Sequence, residues 1–398
     1  MLMNISPKER YLDICHFKRP GDLCMPSTLF GIGWEATQKQ WVEEGAPKEL
    51  LNNSRFETEY FQFDPICQLS FGKVYPEVDL GHGITMGGDF NGRGIVPPYE
   101  PRFISEDERT ITFSGGAGRT VKTLKADIDA GWGGSMSMYL DHPVKDRATW
   151  NEHKKRLDPH TPERWPSDWD AYVQKMNSKS EPLSLPVGGF YGFPREWVGH
   201  DRMLYMFYDD PNLIEDMMEQ LLYLETEIIK RVLKDIKVQQ VTYFEDMCYK
   251  AGPLISPAMV RKFMMPRYKK ITDLVHSYGV DIIFLDSDGN VNELLPLWLE
   301  CGINFIWPFE VAAGNDVLAV RKKYGKDLII GGGIDKRALI KGKEATREEV
   351  MSKVPFLLEQ GGYFACVDHR VPPDVTFENY CYYLNLVREI GGLEKISF

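Results

Sequence analysis

The stretch VDIIFLDSDGN, residues 280–290, decides the fold. Its first half is rich in apolar residues, as expected of a strand buried within a sheet. Two carboxylates, Asp286 and Asp288, then follow at the end of this strand, together with Gly289 and Asn290. Carboxylates are costly to remove from water, so their place after a buried strand requires a functional or structural reason.

The same pattern recurs through the second half of the chain. Short apolar runs alternate with amphipathic stretches that predict helices; the runs are LSLPVGGF, QQVTYFEDM, VDIIFLDSDGN, INFIWPFE, DLIIGGGID and YFACVDHRVPPD. Such alternation is typical of parallel βα units. At least six strands in series favour a (β/α)8 TIM barrel over an open sheet. No GxGxxG motif opens a helix after a strand, which weighs against a dinucleotide-binding sheet.

The first part of the chain lacks this alternation of strands and helices. SPKERYLDICHF predicts a helix capped by Ser6 with Pro7 in its first turn, and WEATQKQWVEEGAP predicts a second helix. Residues 60–125 carry alternating patterns and glycines, which predict an antiparallel excursion of strands and hairpins. We therefore expect one domain over residues 1–398, with an N-terminal elaboration (1–125) and most of the barrel in 126–398.

Composition restricts the classes of partner. The 398 residues are 43% hydrophobic and 26% charged, with a formal net charge of −11. This negative charge, without a basic run, argues against nucleic acid or an anionic membrane surface as the main partner. The first residues lack a signal-peptide core, and no apolar run approaches the ~20 residues of a spanning helix. Seven scattered cysteines without a CxxC pair favour a reduced, cytoplasmic protein, and a homodimer remains open.

Polar residues follow each predicted strand, at the edge where barrel active sites lie. They are Tyr191 and Arg195; Glu245 and Asp246; Asp286, Asp288 and Asn290; Glu310; Asp335 and Lys336; and Asp368, His369 and Arg370. An acidic ring of this kind needs a cation or basic partners when it is removed from water.

Each feature also has a purely structural interpretation. Asp286 or Asp288 could cap the helix that follows at 291. Glu245 or Asp246 could form a salt bridge with Lys250 or Arg195. The glycines of GGGIDK could form a tight turn, and the histidine of DHRVPPD could be a structural hydrogen-bond partner.

Several of these segments resemble the uroporphyrinogen decarboxylase superfamily. The resemblance rests on EDMCYKAGPLISP, DSDGN, LWLECGINFIWPFE, YGKDLIIGGGIDKR and GGYFACVDHRVPPDV, from about residue 185 to 390. The superfamily also holds zinc-dependent, corrinoid-linked methyltransferases. The resemblance implies a TIM barrel with its active cleft at the carboxyl ends of the strands.

Two branches of this superfamily make different demands on the cleft. The porphyrinogen decarboxylases carry an arginine-rich N-terminal motif that binds the carboxylates of the tetrapyrrole. The equivalent segment here, LFGIGWEATQ, has no arginine. We therefore expect a methyltransferase component, with a decarboxylase of tetrapyrrole metabolism as the alternative and a non-catalytic ligand-binding barrel as a further one.

The methyltransferase branch implies a particular site. Its His-x-Cys zinc ligands correspond to Asp286 and Asp288 here, and either Cys366 or the pair Asp368 and His369 lies near its late cysteine. Oxygen-rich ligands suit a harder ion or a more Lewis-acidic zinc, so a divalent ion could activate the leaving oxygen of a methyl ether during O-demethylation, with the methyl group passing to a corrinoid on a partner protein. The expected metal ligands are Asp288, Glu310 and His369. The expected catalytic residues are Glu245, Asp246, Asp286 and Arg195, and the expected substrate-binding residues are Tyr191, Lys250, Asn290, Lys336 and Arg370.

Aromatic residues could add to such a site. Trp34, Trp132 and Trp307 lie near predicted strand ends or in the N-terminal segments. Most aromatic residues of a chain pack in its core, but a subset could line a pocket for an aryl group. An aryl methyl ether is therefore among the expected substrates.

Overall fold

The computed structural model describes residues 5–89, 94–132 and 137–398. The strands are β1 Cys67–Gln68, β2 Val74–Asp79, β3 Thr85–Asp89, β4 Arg102–Glu106, β5 Thr110–Ser114, β6 Thr120–Leu124, β7 Met138–Asp141, β8 Leu183–Gly188, β9 Gln240–Phe244, β10 Cys248–Tyr249, β11 Gly252–Pro253, β12 Ile282–Asp286, β13 Phe305–Trp307, β14 Ile329–Gly331 and β15 Tyr363–Phe364. 

The helices divide into α-helices and short turns of other geometry. The α-helices are α1 Pro7–Cys15, α2 Ser27–Phe30, α3 Glu35–Glu43, α4 Ser54–Tyr60, α5 Lys125–Asp129, α6 Arg147–Lys154, α7 Trp169–Asn177, α8 Gly192–Val198, α9 His200–Asp209, α10 Pro211–Asp235, α11 Pro257–Met259, α12 Met265–Ser277, α13 Leu295–Glu300, α14 Val317–Tyr324, α15 Lys336–Ile340, α16 Lys343–Gln360 and α17 Phe377–Ile390. The 3-10 turns are Lys48–Leu50, Lys155–Leu157, Pro162–Arg164, Val311–Ala313 and Gly325–Asp327, and Val260–Met264 is a π-helical turn. None of the helices in these described ranges is long and apolar enough to cross a membrane.

A seven-stranded parallel sheet forms the main body, in the order β1-β8-β9-β12-β13-β14-β15. Its six later strands are the ones predicted from the alternation of apolar runs and helices. Residues of β1, β9, β12 and β13 line one common cavity, so the sheet curls around an interior. This mixed α/β architecture is similar to a TIM barrel.

The eight-stranded closure is not confirmed among the described residues. An eighth segment pairs next to β1 through one parallel bridge, between Pro26 and Asp64. Pro26 is immediately followed by α2, so the extended segment ends before it can form a longer ladder.

The N-terminal elaboration contains the predicted helices and antiparallel strands. Ser6 caps α1 through a capping box with Glu9, and α3 lies within the second predicted helix. The strands β2 to β7 form a two-stranded and a four-stranded antiparallel sheet, which continue to Asp141. One part of the prediction is wrong: β1 lies inside 60–125 but pairs in parallel with β8. A strand of two residues is too short to show a period.

The strand register aligns the carboxyl ends that matter for function. Gly188 of β8 pairs with Phe244 of β9, Phe244 with Asp286 of β12, and Asp286 with Trp307 of β13. These four residues therefore form one row across the sheet. Whatever follows them in the chain starts from the same edge.

The close approach of β8 and β9 leads to a first prediction. A Cβ atom on Gly189 would lie 2.1 Å from the Phe244 carbonyl oxygen, a distance that requires backbone movement. We expect Gly189→Ala to lower the free energy of unfolding by about 3 kcal/mol, as overpacking does. Gly115→Ala is the control, because its Cβ would meet Met86 at an ordinary 3.5 Å. Chemical denaturation of both variants checks this, and equal stability would contradict the close approach.

Candidate active site

Asp286 ends β12 and faces a small cavity inside the curled sheet. This barrel cavity, of about 90 Å³, is lined by Tyr11, Pro26, Thr28, Leu29, Gln68, Gln240, Thr242, Phe284, Asp286, Phe305, Trp307 and Arg370. Within the described ranges the Asp286 carboxyl group accepts no hydrogen bond. Burial raises its pKa well above the ordinary range of an aspartate, the charges of Asp288 and Asp246 add to this, and that of Arg370 opposes it. The environment of Asp286 therefore favours its protonated form.

Arg370 reaches the same cavity from the loop after β15. Its guanidinium lies 5.8 Å from the centre of the Trp307 ring and donates a hydrogen bond of 3.5 Å to the carbonyl of Gly31. The aliphatic part of its side chain packs against Gly33, whose φ of +78° and lack of a Cβ leave the space that it needs. The turn at residues 31–33 therefore holds Arg370 in place.

Asp288 and His369 form a pair on the outer side of the strand ends. The Nε2 atom of His369 lies 3.3 Å from a carboxylate oxygen of Asp288. The imidazole stacks on Trp307 at 6.2 Å between ring centres and lies 6.4 Å from Trp34, which in turn packs on Trp132 at 5.7 Å. Trp34, Trp132 and Trp307 thus lie close to His369 at this edge.

Lys336 is the centre of a second charged group. Its Nζ atom lies 3.6 Å from carboxylate oxygens of both Glu310 and Asp368. Asp368 is fully buried and accepts the backbone N–H groups of Val311 and Lys336, at 2.8 and 3.0 Å. Glu310 accepts the N–H of Gly289 at 2.9 Å. These carboxylates already have a cation and backbone donors.

The three expected metal ligands do not converge. Asp288 and His369 are paired with each other, whereas Glu310 is held by Gly289 and Lys336, and an ammonium group beside a ligand opposes a metal ion. Among the residues that the structure describes, no three His, Cys, Asp or Glu side chains are grouped so as to hold a metal. Cys366 is buried, which raises the pKa of its thiol to about 12. This arrangement does not fit the implied ion, and no chemistry below depends on one.

Glu245 holds the loop after β8 in place. It is fully buried, and its carboxylate accepts the N–H groups of Phe190, Tyr191 and Gly192 at 2.7, 2.8 and 2.9 Å, besides the hydroxyl of Tyr268. It therefore fastens the start of α8 to the end of β9. Burial raises the pKa of Glu245, while these four donors favour its charged form.

The other expected residues differ in their exposure. Arg195 donates to the Asp246 carboxylate at 2.9 Å and to its carbonyl at 2.6 Å, which is one of the salt bridges considered from the sequence. Tyr191 is fully buried, whereas Lys250 is exposed and has no ion pair in the described ranges. Asn290 donates to the carbonyl of Ala313 and is thus tied to the loop after β13.

The capping alternative for the two aspartates is wrong. The helix that follows, α13, begins at Leu295 and has no side-chain cap. Asp335, in contrast, is the N-cap of α15 through the N–H of Arg337. Its position just before a helix distinguishes Asp335 from Asp286, which is separated from α13 by eight residues.

Sequence reasoning missed the polar character of the barrel cavity. Gln240 accepts the hydroxyl of Tyr11 and donates to Ser184 at 3.0 Å, and Gln68 and Thr28 complete the polar lining. Polar residues within otherwise apolar strands were the available signal, since barrel interiors are usually filled by branched apolar side chains.

The role of Glu245 gives a prediction about stability. Glu245→Ala removes the acceptor of three buried N–H groups and one hydroxyl, so we expect a loss of at least about 3 kcal/mol in the free energy of unfolding. Glu245→Gln keeps one acceptor oxygen and should lose less. Urea denaturation measures both, with the exposed Glu348→Ala as control. A loss of under about 1 kcal/mol in Glu245→Ala would rule out this fastening role.

The protonation of Asp286 gives a prediction about pH. When the pH rises above about 4, the unfolded state loses this proton while the folded state keeps it, so folding is destabilised. Asp286→Asn removes that penalty. We expect the variant to match the wild type near pH 3, where both states of the wild type hold the proton, and to become more stable than it as the pH rises toward 7.5, by roughly 1.4 kcal/mol per unit of pKa difference. Denaturation at several pH values tests this, and a variant less stable at neutral pH would contradict it.

Comparison with known proteins places this site in a family. Residues 184–390 match the family model described as uroporphyrinogen decarboxylase (URO-D). A methyltransferase from Methanosarcina mazei is similar in structure, with a TM-score of 0.55 and 12% sequence identity over 97% of this chain and 99% of that one. This similarity shows the fold. No curated protein matches the chain in sequence.

A second solved structure is more distant. It is a B12-independent methionine synthase from Shewanella sp. W3-18-1, in complex with selenomethionine, with a TM-score of 0.36 and 10% identity over 56% of this chain and 65% of that one. The family match and the fold support an enzyme of the URO-D superfamily. Because the family model spans more than half of the 398 residues, the chain belongs to the uroporphyrinogen decarboxylase (URO-D) family.

Proposed function

We propose that this chain is a methyltransferase component, which takes a methyl group from a small methyl ether or a similar methylated compound. The acceptor is a reduced corrinoid carried by a partner protein. The single observation that carries the proposal is the half-buried Asp286, whose carboxyl group faces a cavity of about 90 Å³ and has a raised pKa. Such a cavity admits a methyl group and the atom that bears it, but no large ring system.

In the proposed reaction Asp286 is the general acid. The bond between the methyl carbon and the ether oxygen breaks, and its electron pair stays on the oxygen. The oxygen takes the proton of Asp286, so that it leaves as a hydroxyl group, and the methyl carbon is transferred to the nucleophile that the corrinoid supplies. Asp286 becomes a carboxylate and regains a proton from solvent. General acids of this kind typically contribute about 10²–10⁴-fold.

The surrounding residues support this role through charge. Asp246 and Asp288 raise the pKa of Asp286, so they keep the acid protonated before the reaction. Arg370 then stabilises the carboxylate that forms when the proton has left. Arg195 holds Asp246 in position, and Glu245 fixes the backbone beneath it. Lys336, Asn290, Tyr191 and Lys250 remain proposed substrate-binding residues by their place near the strand ends.

Other parts of the function stay predictions. A closed (β/α)8 barrel would require the segment at Pro26 to act as the eighth strand. The divalent ion expected at Asp288, Glu310 and His369 has no part in this reaction, because those side chains do not converge; about one ion per chain in the purified protein, lost in His369→Ala, would contradict that arrangement. An aryl donor would place its ring near Trp34 and Trp307. Location in the cytoplasm and a single domain over the whole chain are likewise proposed.

The test is turnover of methyl ethers with free reduced cobalamin as acceptor, measured as release of the demethylated alcohol or phenol. We expect Asp286→Asn to lower kcat at least about 100-fold with little change in KM, because the acid acts only in the transition state. The control is Asp327→Asn, at an exposed position. The wild-type kcat should fall as the pH rises through the pKa of Asp286. An unchanged kcat in Asp286→Asn would exclude this acid.

Decarboxylation is the second candidate, because the family model itself is described as a decarboxylase. The same acid could protonate the carbon from which CO2 leaves. The cations that face the strand ends are few, and Arg195 and Lys336 are already paired, which disfavours a substrate with many carboxylates. Release of CO2 from a porphyrinogen by the chain alone, without any corrinoid, would establish decarboxylation instead.

A further inference from the structure

The wall of the curled sheet has an opening beside β1. Pairing with the N-terminal segment reaches Ser27, whose N–H donates to the carbonyl of Asp64 at 2.8 Å. The chain then turns into α2, while β1 continues to Gln68. Thr28 and Gln68 therefore lie on elements that no longer pair, and Gln68 is exposed although it lines the barrel cavity.

A large groove lies outside this opening. This side groove, of about 1030 Å³, shares three lining residues with the barrel cavity: Thr28, Gln68 and Arg370. Most of its other lining side chains are polar, and no aromatic side chain of the described residues lines it. Hydroxyl and amide groups, including those of Ser27, Gln38, Asn52 and Asn53, line it together with four glutamates, Glu35, Glu57, Glu59 and Glu181. Glu35 is paired with Lys39.

Arg370 is the cation at the junction. The other basic side chains of the groove are paired, Arg55 with Glu59 and Lys179 with Glu181. Arg370 has no carboxylate within 4.0 Å in the described ranges, and its one hydrogen bond there is to Gly31.

Glu57 supports this junction from the groove side. It is buried and accepts the N–H of Ile32 at 2.8 Å and the amide of Gln38 at 3.3 Å. It thereby holds the turn that packs on Arg370. The guanidinium is fixed in place but left with room for an acidic partner.

We propose that the methyl donor reaches Asp286 through the opening between Thr28 and Gln68, and that it is a small compound with one carboxylate, which Arg370 binds. The rest of the donor carries hydroxyl or amide groups rather than a bare aryl ring, because the side groove offers hydrogen-bonding side chains and no aromatic face. This inference rests on the proposed function for the identity of the ligand as a methyl donor. The opening itself can be tested without any methyl transfer.

The experiment places a thiol in the barrel cavity by Thr242→Cys, since Thr242 lines it. The thiol is reacted with two methanethiosulfonates of similar size, one with a sulfonate and one with a trimethylammonium group. Each forms a mixed disulfide with release of methanesulfinate, and peptide mass spectrometry distinguishes this site from the seven native cysteines. We expect the anionic reagent to react about ten-fold faster than the cationic one.

Substitutions at two positions test the entry route and the preference for anions separately. Gln68→Trp, added to Thr242→Cys, should slow both reagents about ten-fold by filling the opening, whereas Gln68→Ala should not. Arg370→Gln should abolish the preference for the anion, whereas Arg55→Gln, which removes a paired and exposed arginine, should keep it. An absence of labelling, or equal rates in Gln68→Trp and Gln68→Ala, would overturn the path. Equal rates for both reagents with Arg370 present would overturn the anion preference.

The ligand class has its own measurement. Methoxyacetate and 2-methoxyacetamide differ chiefly in charge, and we expect only methoxyacetate to raise the Tm of the wild type, an effect that Arg370→Gln removes. Equal shifts from both compounds, or none from methoxyacetate, would overturn the carboxylate. If labelling follows the expected pattern while no methyl ether is turned over, the opening stands and the proposed reaction is wrong.

Discussion

In-register parallel pairing is the constraint on which the site depends. The last residues of four strands pair in one row: Gly188, Phe244, Asp286 and Trp307. The loops that follow these strands therefore all start at one edge of the sheet, and their backbone N–H and C=O groups need hydrogen-bond partners there. The carbonyl of Asp286 meets part of this need by accepting the N–H groups of Glu245 and Asp246. The edge is thus held together across strands before any side chain contributes chemistry.

The carboxylates at this edge differ in the groups that donate hydrogen bonds to them. Glu245 and Asp368 are buried and accept backbone N–H groups, so they are structural groups that fix loops. Asp246 and Asp288 have basic partners, Arg195 and His369. Asp286 alone among these five accepts no hydrogen bond and has no basic partner in the described residues, and it is half-buried; a carboxyl group removed from water without a donor favours its protonated form. The same residue type serves three purposes because its neighbours differ.

The sequence predicted the alternation of strands and helices and the edge at which the polar residues collect, because both follow from local periodicity and chain order. It offered the pairing of Asp246 with Arg195 only as one of several alternative salt bridges. It could not predict which carboxylates are saturated, since the three backbone donors of Glu245 belong to residues more than fifty positions away. Nor could it predict that Gly33 packs on Arg370, or that the two residues of β1 belong to the parallel sheet. These contacts are set by tertiary packing, which has no local signature.

The position of Arg370 connects the entry path with the chemistry. A methyl group that moves between two partners requires the leaving oxygen and the attacking nucleophile on opposite sides of the methyl carbon. In the proposed reaction the donor comes through the side groove, and Arg370 and Asp286 lie together where it enters the barrel cavity. The edge formed by the strand ends is then left to the nucleophile of the partner.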